Sequence, residues 1–308
     1  MKAISFSKLS TEQRNPRTLD LDRLSALEFV RRVNREDAQV LRAVEAAAPQ
    51  IARAIEQIAQ ALRRGGRLFF FGAGTSGRLG VIEAAECPPT FGTPASLIQA
   101  VMAGGRSAVF RSKEGAEDSE RDGRAAVNRL VRRHDVVVGI AASGVTPFVR
   151  AALSAAKRRG ARTVLVTCHV GPGNRGAAET VIGLKSGPEI LTGSTRLKAG
   201  TACKMVLNML TTGAMVQLGK VYQNWMVDLQ PKSQKLVARG QRLIQTLGGV
   251  SEAEAQKLFK QAGRRVKIAV AMARMGLDVA QARQALQNAD GFLGPLLDET
   301  KTRARRRR

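Results

Sequence analysis

Aromatic residues, cysteines and acids are all scarce in this chain, and each scarcity removes possibilities. Phe, Trp and Tyr make up 4% of the 308 residues while hydrophobic residues reach 44%. The core must therefore be built from Leu, Val, Ile and Ala, a composition suited to a layered α/β protein rather than an all-β one. The three cysteines, Cys87, Cys168 and Cys203, form an odd set without zinc-type spacing, which fits buried thiols in a reducing compartment and implies no structural metal. No apolar run approaches the ~20 residues of a membrane span. Lys, Glu, Arg and Asp interrupt the first thirty residues, so a cytoplasmic protein without membrane contact is expected. Asp and Glu number 25 against 50 Lys and Arg, a formal net charge of +25. The cations are scattered and no nucleic-acid reading motif accompanies them, so a charge-biased proteome together with an anionic substrate accounts for them better than nucleic acid. The one dense block, Arg303, Arg305, Arg306, Arg307 and Arg308, reads as a solvated tail, with a weak polyanion contact as its second use.

Four regions are expected along the chain. Residues 1–62 form an irregular arm followed by amphipathic helices, with a break near Pro49. Residues 63–230 hold the main domain. There, apolar runs at 67–71, 96–102, 136–140 and 163–168 alternate with helical stretches. Such alternation predicts a three-layer α/β fold, a parallel sheet flanked by helices. A helix over 76–86 is expected to stop at Pro88 and Pro89, and a long helix spans 197–218. Residues 231–302 give a small helical domain punctuated by Gly248, Gly249, Gly276 and Gly291, and 303–308 are the basic tail.

Two of the predicted strands end in Gly- and Ser-rich turns that open helices. One offers Thr75, Ser76 and Gly77, the other Ser143, Gly144 and Thr146. Backbone N–H groups and hydroxyls in such turns converge on an anion, helped by the helix dipole, so a phosphorylated ligand is the expected occupant. The turns are read as carrying neither G-x-x-x-x-G-K-[ST] nor a full G-x-G-x-x-G, so no nucleotide or other cofactor is expected.

The segments GAGTSGRLG, EAAECPPTFG, EGAEDS, GIAASGVTP and GPEILTGSTRLKAGTACKMVLNMLTTG occur in that order. Together they resemble the N-acetylmuramic acid 6-phosphate etherase family, whose sugar-isomerase (SIS) architecture is shared by the glucokinase regulatory protein. The front end TEQRNPRTLDLD is also similar to that family, and the likeness thins after about Pro231. The resemblance implies a SIS-type domain, a homodimer with its site near the subunit boundary, and release of D-lactate from the phosphorylated amino sugar. It places the acid/base pair on Glu86 of ECPP and Glu117 of GAEDS. Three departures stand out: Val145 where the typical loop has Arg, His169 and Val170 where Asn-Pro is usual, and Lys232, Ser233 and Gln234 in the later segment.

The chemistry so implied needs one base and one acid. In the open-chain sugar the C2 hydrogen lies beside an aldehyde and can be removed, the C3 lactyl oxygen leaves once protonated, and water adds back. Glu86, expected at a helix end, is assigned the acid, and Glu117, expected at a helix start, the base. Ser194, Arg196 and Lys198 are candidates for the substrate anions. Arg196 and Lys198 could equally pair across the dimer, Arg78 has the same ambiguity, and His134, His169 and Cys87 are expected to be structural. The alternative from another class is a non-catalytic sugar-phosphate sensor like the glucokinase regulatory protein. Against it stand both glutamates and a single SIS-like unit. A SIS transcriptional regulator lacks its helix-turn-helix here, and a ketose/aldose isomerase is allowed by fold alone.

Overall fold

The computed structural model describes residues 9–174 and 176–297; the basic tail lies outside the described residues. The chain divides into two compact units, one of Met1–Ala85 and Ser96–Thr211, the other of Glu86–Ala95 and Thr212–Arg308. The division therefore falls at 211/212 rather than at the expected 230/231, and the short stretch 86–95 joins the second unit.

In the first unit an arm of short 3₁₀ turns leads into α1 (Ala26–Ala46) and α2 (Ala48–Arg63). A capping box between Ser25 and Glu28 starts α1. Pro49 sits in the first turn of α2, where its missing N–H costs nothing. There follow β1 (Leu68–Gly72), α3 (Gly74–Phe91), β2 (Ile98–Met102), the single turn α4 (Ser107–Phe110), α5 (Glu120–Leu130), β3 (Val136–Ile140), α6 (Pro147–Arg158), β4 (Arg162–Thr167), β5 (Thr180–Gly183) and the long α7 (Lys198–Gln217). The five strands are all parallel, in the order β2-β1-β3-β4-β5. Alternate residues of the central strands face opposite layers. Phe69, Phe71, Val137 and Leu165 pack with Val127 of α5 and Phe148, Val149 and Leu153 of α6. On the other face α3 lies so close to β1 that a Cβ on Gly80 would stand 2.8 Å from Phe70 Cβ. Helices on both faces explain why the strands read as continuous apolar runs.

In this unit two elements differ from expectation. The short edge strand β5 is absent from the predicted set. Helix α3 does not stop before Pro88 and Pro89 but runs to Phe91, where Gly92 turns the chain at φ 67°. Each proline removes one backbone bond, and the helix continues because the turns around them remain bonded: Gly92 N–H donates to the Pro88 carbonyl and Thr90 Oγ1 to the Glu86 carbonyl. Glu86 is thus inside a helix rather than at its end, and the helix-end rationale for its acid role falls away.

The second unit, as described, holds a two-residue hairpin, β6 (Val221–Tyr222) against β7 (Trp225–Met226), then α8 (Gln234–Gly248), α9 (Glu252–Gln261), α10 (Val266–Met275) and α11 (Val279–Asn288). Gly249 and Gly276 end α8 and α10 in left-handed conformations. Leu243, Ile244, Phe259, Val270, Ala271 and Leu286 form its separate core.

Helices α5 and α6 meet at Gly123, where a Cβ would lie 2.3 Å from the Phe148 carbonyl oxygen. That neighbour is backbone and cannot swing away. Gly123→Ala is expected to destabilise the protein by about 1–3 kcal/mol, read as a lower denaturant midpoint at unchanged slope; an unchanged midpoint would show that the two helices part freely.

Candidate active site

The strand order reverses direction of growth between β1 and β3, since the chain adds β2 on one side of β1 and β3 on the other. At such a switch point the loops leaving the carboxyl ends of the two strands diverge and open a crevice. Gly72 pairs with Ile140 at that end, so the turn at 73–75 and the turn at 141–146 leave neighbouring strands. Thr75, Ser76 and Gly77 form the first turn of α3, and Thr146 is the N-terminal cap position of α6. The first turn is tight: a Cβ on Gly77 would stand 2.7 Å from the Gly72 carbonyl oxygen. Gly72, Gly74 and Gly77 stand at G-x-G-x-x-G spacing, which corrects the expectation that this motif is absent. The dinucleotide motif also needs an acid after the second strand for the ribose, and Met102, Ala103 and Gly104 offer none there. The second turn needs glycine at 144, where φ is 73° and a Cβ would meet Asn174 Nδ2 at 2.3 Å. Ser143 Oγ accepts the Val145 N–H (3.3 Å). Arg150 donates to the carbonyls of Gly144 and Gly173, which holds that loop in place.

A cavity of about 110 Å³ opens beside the first turn. Its wall includes Ala73, Gly74 and Arg78, the end of β2 at Met102 and Ala103, and Glu117. Glu117 lies on a 3₁₀ turn, Ala116–Asp118, just ahead of α5, and is entered through Gly115 at φ 71°. It is exposed. Arg78 donates to the carbonyls of Ala108 and Val109 (2.9 and 2.7 Å), so it braces the α4 turn over the cavity. Glu86 does not line this cavity. It is exposed on α3, in the stretch that belongs to the second unit.

The segment GPEILTGSTRLKAG reaches the same end of the sheet. A Cβ on Gly200 would lie 3.7 Å from Thr75 Cγ2 and 3.4 Å from the Thr195 carbonyl oxygen. Ser194 is half-buried there and Arg196 exposed. Lys198 corrects an expectation: it is 0% exposed, and its ammonium donates to Glu36 at 2.9 Å. A lysine so enclosed is a structural partner and not a contact for substrate anions.

Sequence reasoning missed the carboxylates that fix this segment. Glu189 accepts the backbone N–H groups of Lys198 and Ala199, each at 2.9 Å, and so caps α7 from nine residues upstream. Burial raises its pKa even against those bonds. Glu36 of α1 accepts from Arg17, Lys198 and Asn15. The Arg17 guanidinium first, with Lys198 and Asn15 also contributing, holds its pKa at about 2 despite burial. Thr18 Oγ1 donates to the Ile190 carbonyl (2.8 Å), so the arm residues 15–18 clamp the loop that precedes α7. A polar residue on an amphipathic helix gives no sign of burial, and only the joint presence of NPRT and GPEI could have pointed to the cluster. His169, expected to be structural, accepts from the Ser10 N–H at Nδ1 (3.4 Å). Among the described residues no group of three His, Cys, Asp or Glu could hold a metal ion, and no helix is long and apolar enough to cross a membrane.

The chain is 51% identical over 290 residues to the N-acetylmuramic acid 6-phosphate etherase of Microcystis aeruginosa, covering 94% of this chain and 95% of the relative. Similarity to the enzyme of that name from Salmonella agona is 48% over 296 residues, with 96% and 100% covered. The chain belongs to the N-acetylmuramic acid 6-phosphate etherase family. Residues 50–157 also match the glucokinase regulatory protein N-terminal SIS domain. Among solved structures, a phosphoheptose isomerase from Francisella tularensis aligns with TM-score 0.48 and 13% identity, covering 63% of this chain and all of that one. In this etherase-family chain the motif GPEI is an internal helix cap, and TEQRNPRT is the clamp that secures it.

The depressed pKa of Glu36 has a consequence for stability. Its folded value, about 2, lies below its ordinary 4.5, so its contribution is present above pH 4.5 and is lost as pH falls towards 2. Between pH 6 and pH 3 the loss is about 2 kcal/mol. Glu189 acts in the opposite sense, so the expected readout is differential: denaturant titrations show a steeper decline for the wild type than for Glu36→Gln. Parallel declines would contradict the buried cluster.

Proposed function

We propose that this protein is a carbon-oxygen lyase that cleaves the D-lactyl ether of N-acetylmuramic acid 6-phosphate, giving N-acetylglucosamine 6-phosphate and D-lactate. The observation that carries this is Glu117, a carboxylate on the wall of a cavity that opens beside a Gly/Ser turn at the sheet's switch point, in a chain about half identical to named etherases over nearly its whole length. Those etherase relatives, rather than sensors, match end to end, which favours the enzyme over the regulatory alternative.

The turns holding Thr75, Ser76 and Gly77 and Ser143, Gly144 and Thr146 bind the phosphorylated sugar through N–H groups and hydroxyls, with Ser194 and Arg196 at their margin. Glu117 removes the C2 proton of the open-chain sugar. The electron pair forms the C2=C3 bond as the C3–O bond breaks, and Glu86 gives its proton to the departing lactyl oxygen. Glu86, now ionised, takes a proton from water as the water oxygen bonds to C3, and Glu117 returns its proton to C2. Both carboxyls end as they began. The active assembly is a homodimer with its site near the subunit boundary, acting in the cytoplasm. Ile82, one turn before Glu86 on the same side of α3, is 53% exposed, an apolar side chain that a second subunit would cover.

Incubation of the purified protein with N-acetylmuramic acid 6-phosphate is expected to release D-lactate. Glu117→Gln and Glu86→Gln should each lower kcat by about 10²–10⁴-fold, and Glu117→Gln should also abolish exchange of the C2 hydrogen with solvent deuterium. Release of lactate at the wild-type rate by either variant would overturn its assigned role, and tight phosphosugar binding without lactate would favour the sensor.

A further inference from the structure

The second unit contains a cavity of about 1000 Å³ whose charge nothing in the proposed reaction uses. Its wall is formed entirely from residues of that unit, between the segment 227–232 that follows the hairpin, the α9–α10 turn and α11. Lys220, Lys232, Arg264, Arg265, Lys267 and Arg283 line it, and the carboxylate among the lining residues is Asp228. Asp228 is already committed: it accepts from Lys220 at 3.1 Å and from Lys267 at 2.6 Å. Lys267, buried in the wall, donates its remaining protons to the carbonyls of Gly219 and Gly291 (2.8 and 3.0 Å). That network is satisfied and fixes the floor.

The other four cations are different. Lys232, Arg264, Arg265 and Arg283 are exposed at the rim, and among the described residues none makes an ion pair. Four unneutralised cations around one concavity repel one another unless an anion joins them. Arg264 is held at φ 62° beside Gly263 at φ 63°, a backbone conformation that glycine takes more cheaply. The chain nevertheless carries an arginine there. The forked donors of three arginines suit phosphate oxygens, which they can grip in pairs. A volume of this order fits a small ligand, since ligand sites run to ~300–1,000 Å³.

We propose that this cavity is a second anion site, which takes a small ligand bearing more than one phosphate group and is separate from the phosphosugar turns of the sheet unit. A concavity of this volume suits a compact polyphosphate rather than an extended nucleic acid. Occupancy neutralises the rim and stabilises the helical unit by mass action.

The test is isothermal titration of the full chain with inorganic pyrophosphate at moderate salt. Saturable binding is expected, weakened at least tenfold in Arg265→Glu/Arg283→Glu and in the milder Arg265→Gln/Arg283→Gln. Circular dichroism would confirm that these rim variants keep their fold. Two controls should bind as the wild type does: Ser76→Ala/Ser143→Ala, which alters the sheet turns, and Arg53→Glu/Arg121→Glu, which makes the same charge change on exposed residues of the other unit. Absence of saturable binding would overturn the proposal. So would loss of binding in either control, or tighter, salt-steep binding of a single-stranded oligonucleotide that the rim variants do not weaken.

Discussion

The buried pairing of Glu36 with Lys198 is the constraint on which the architecture around the site depends. Burying two charges costs several kcal/mol each unless the remaining lone pairs and protons are satisfied. Here they are shared out: Arg17 and Asn15 complete Glu36, and Glu189 takes the first N–H groups of the helix that carries Lys198. One polar cluster thereby joins the N-terminal arm, α1 and the start of α7. Removing one member leaves the others uncompensated, which is why such a cluster acts as a unit.

Its effect reaches the sheet because α7 begins beside the first turn, with Gly200 against Thr75. The parallel sheet supplies the other half of the arrangement. Every strand delivers its loop to the same end, and the order β2-β1-β3-β4-β5 opens the crevice where β1 and β3 diverge. Glycines at 77 and 144 let backbone approach backbone or the Asn174 side chain within distances no Cβ allows. Both turns are therefore tight, with no room for a side chain at either glycine.

Much of this was legible in the residues. VVVGI and RLFFF read as strands because both faces of a parallel sheet are covered, and the Gly/Ser turns stood out at their ends. What escaped has physical reasons. The edge strand β5 is four residues long and follows a polar, Gly-rich stretch, so no apolar run announces it. The hairpin strands are two residues each. Pro88 and Pro89 obey a local rule that surrounding hydrogen bonds overrule, and with it went the helix-end rationale for Glu86. Lys198 looked like a ligand contact because a lysine's burial is invisible until its partner, 162 positions away in the chain, is known. The unit boundary was misplaced because a continuous helix, α7, crosses it and composition does not change there.

The central claim is that the ether is opened by elimination and re-addition at the sugar carbon. The most direct measurement is the fate of isotope when N-acetylmuramic acid 6-phosphate is converted in H₂¹⁸O. The account predicts one ¹⁸O in the C3 hydroxyl of the N-acetylglucosamine 6-phosphate and none introduced into the D-lactate hydroxyl, because the C3–O bond is the one that breaks. Label in the lactate hydroxyl, with the sugar unlabelled at C3, would contradict it.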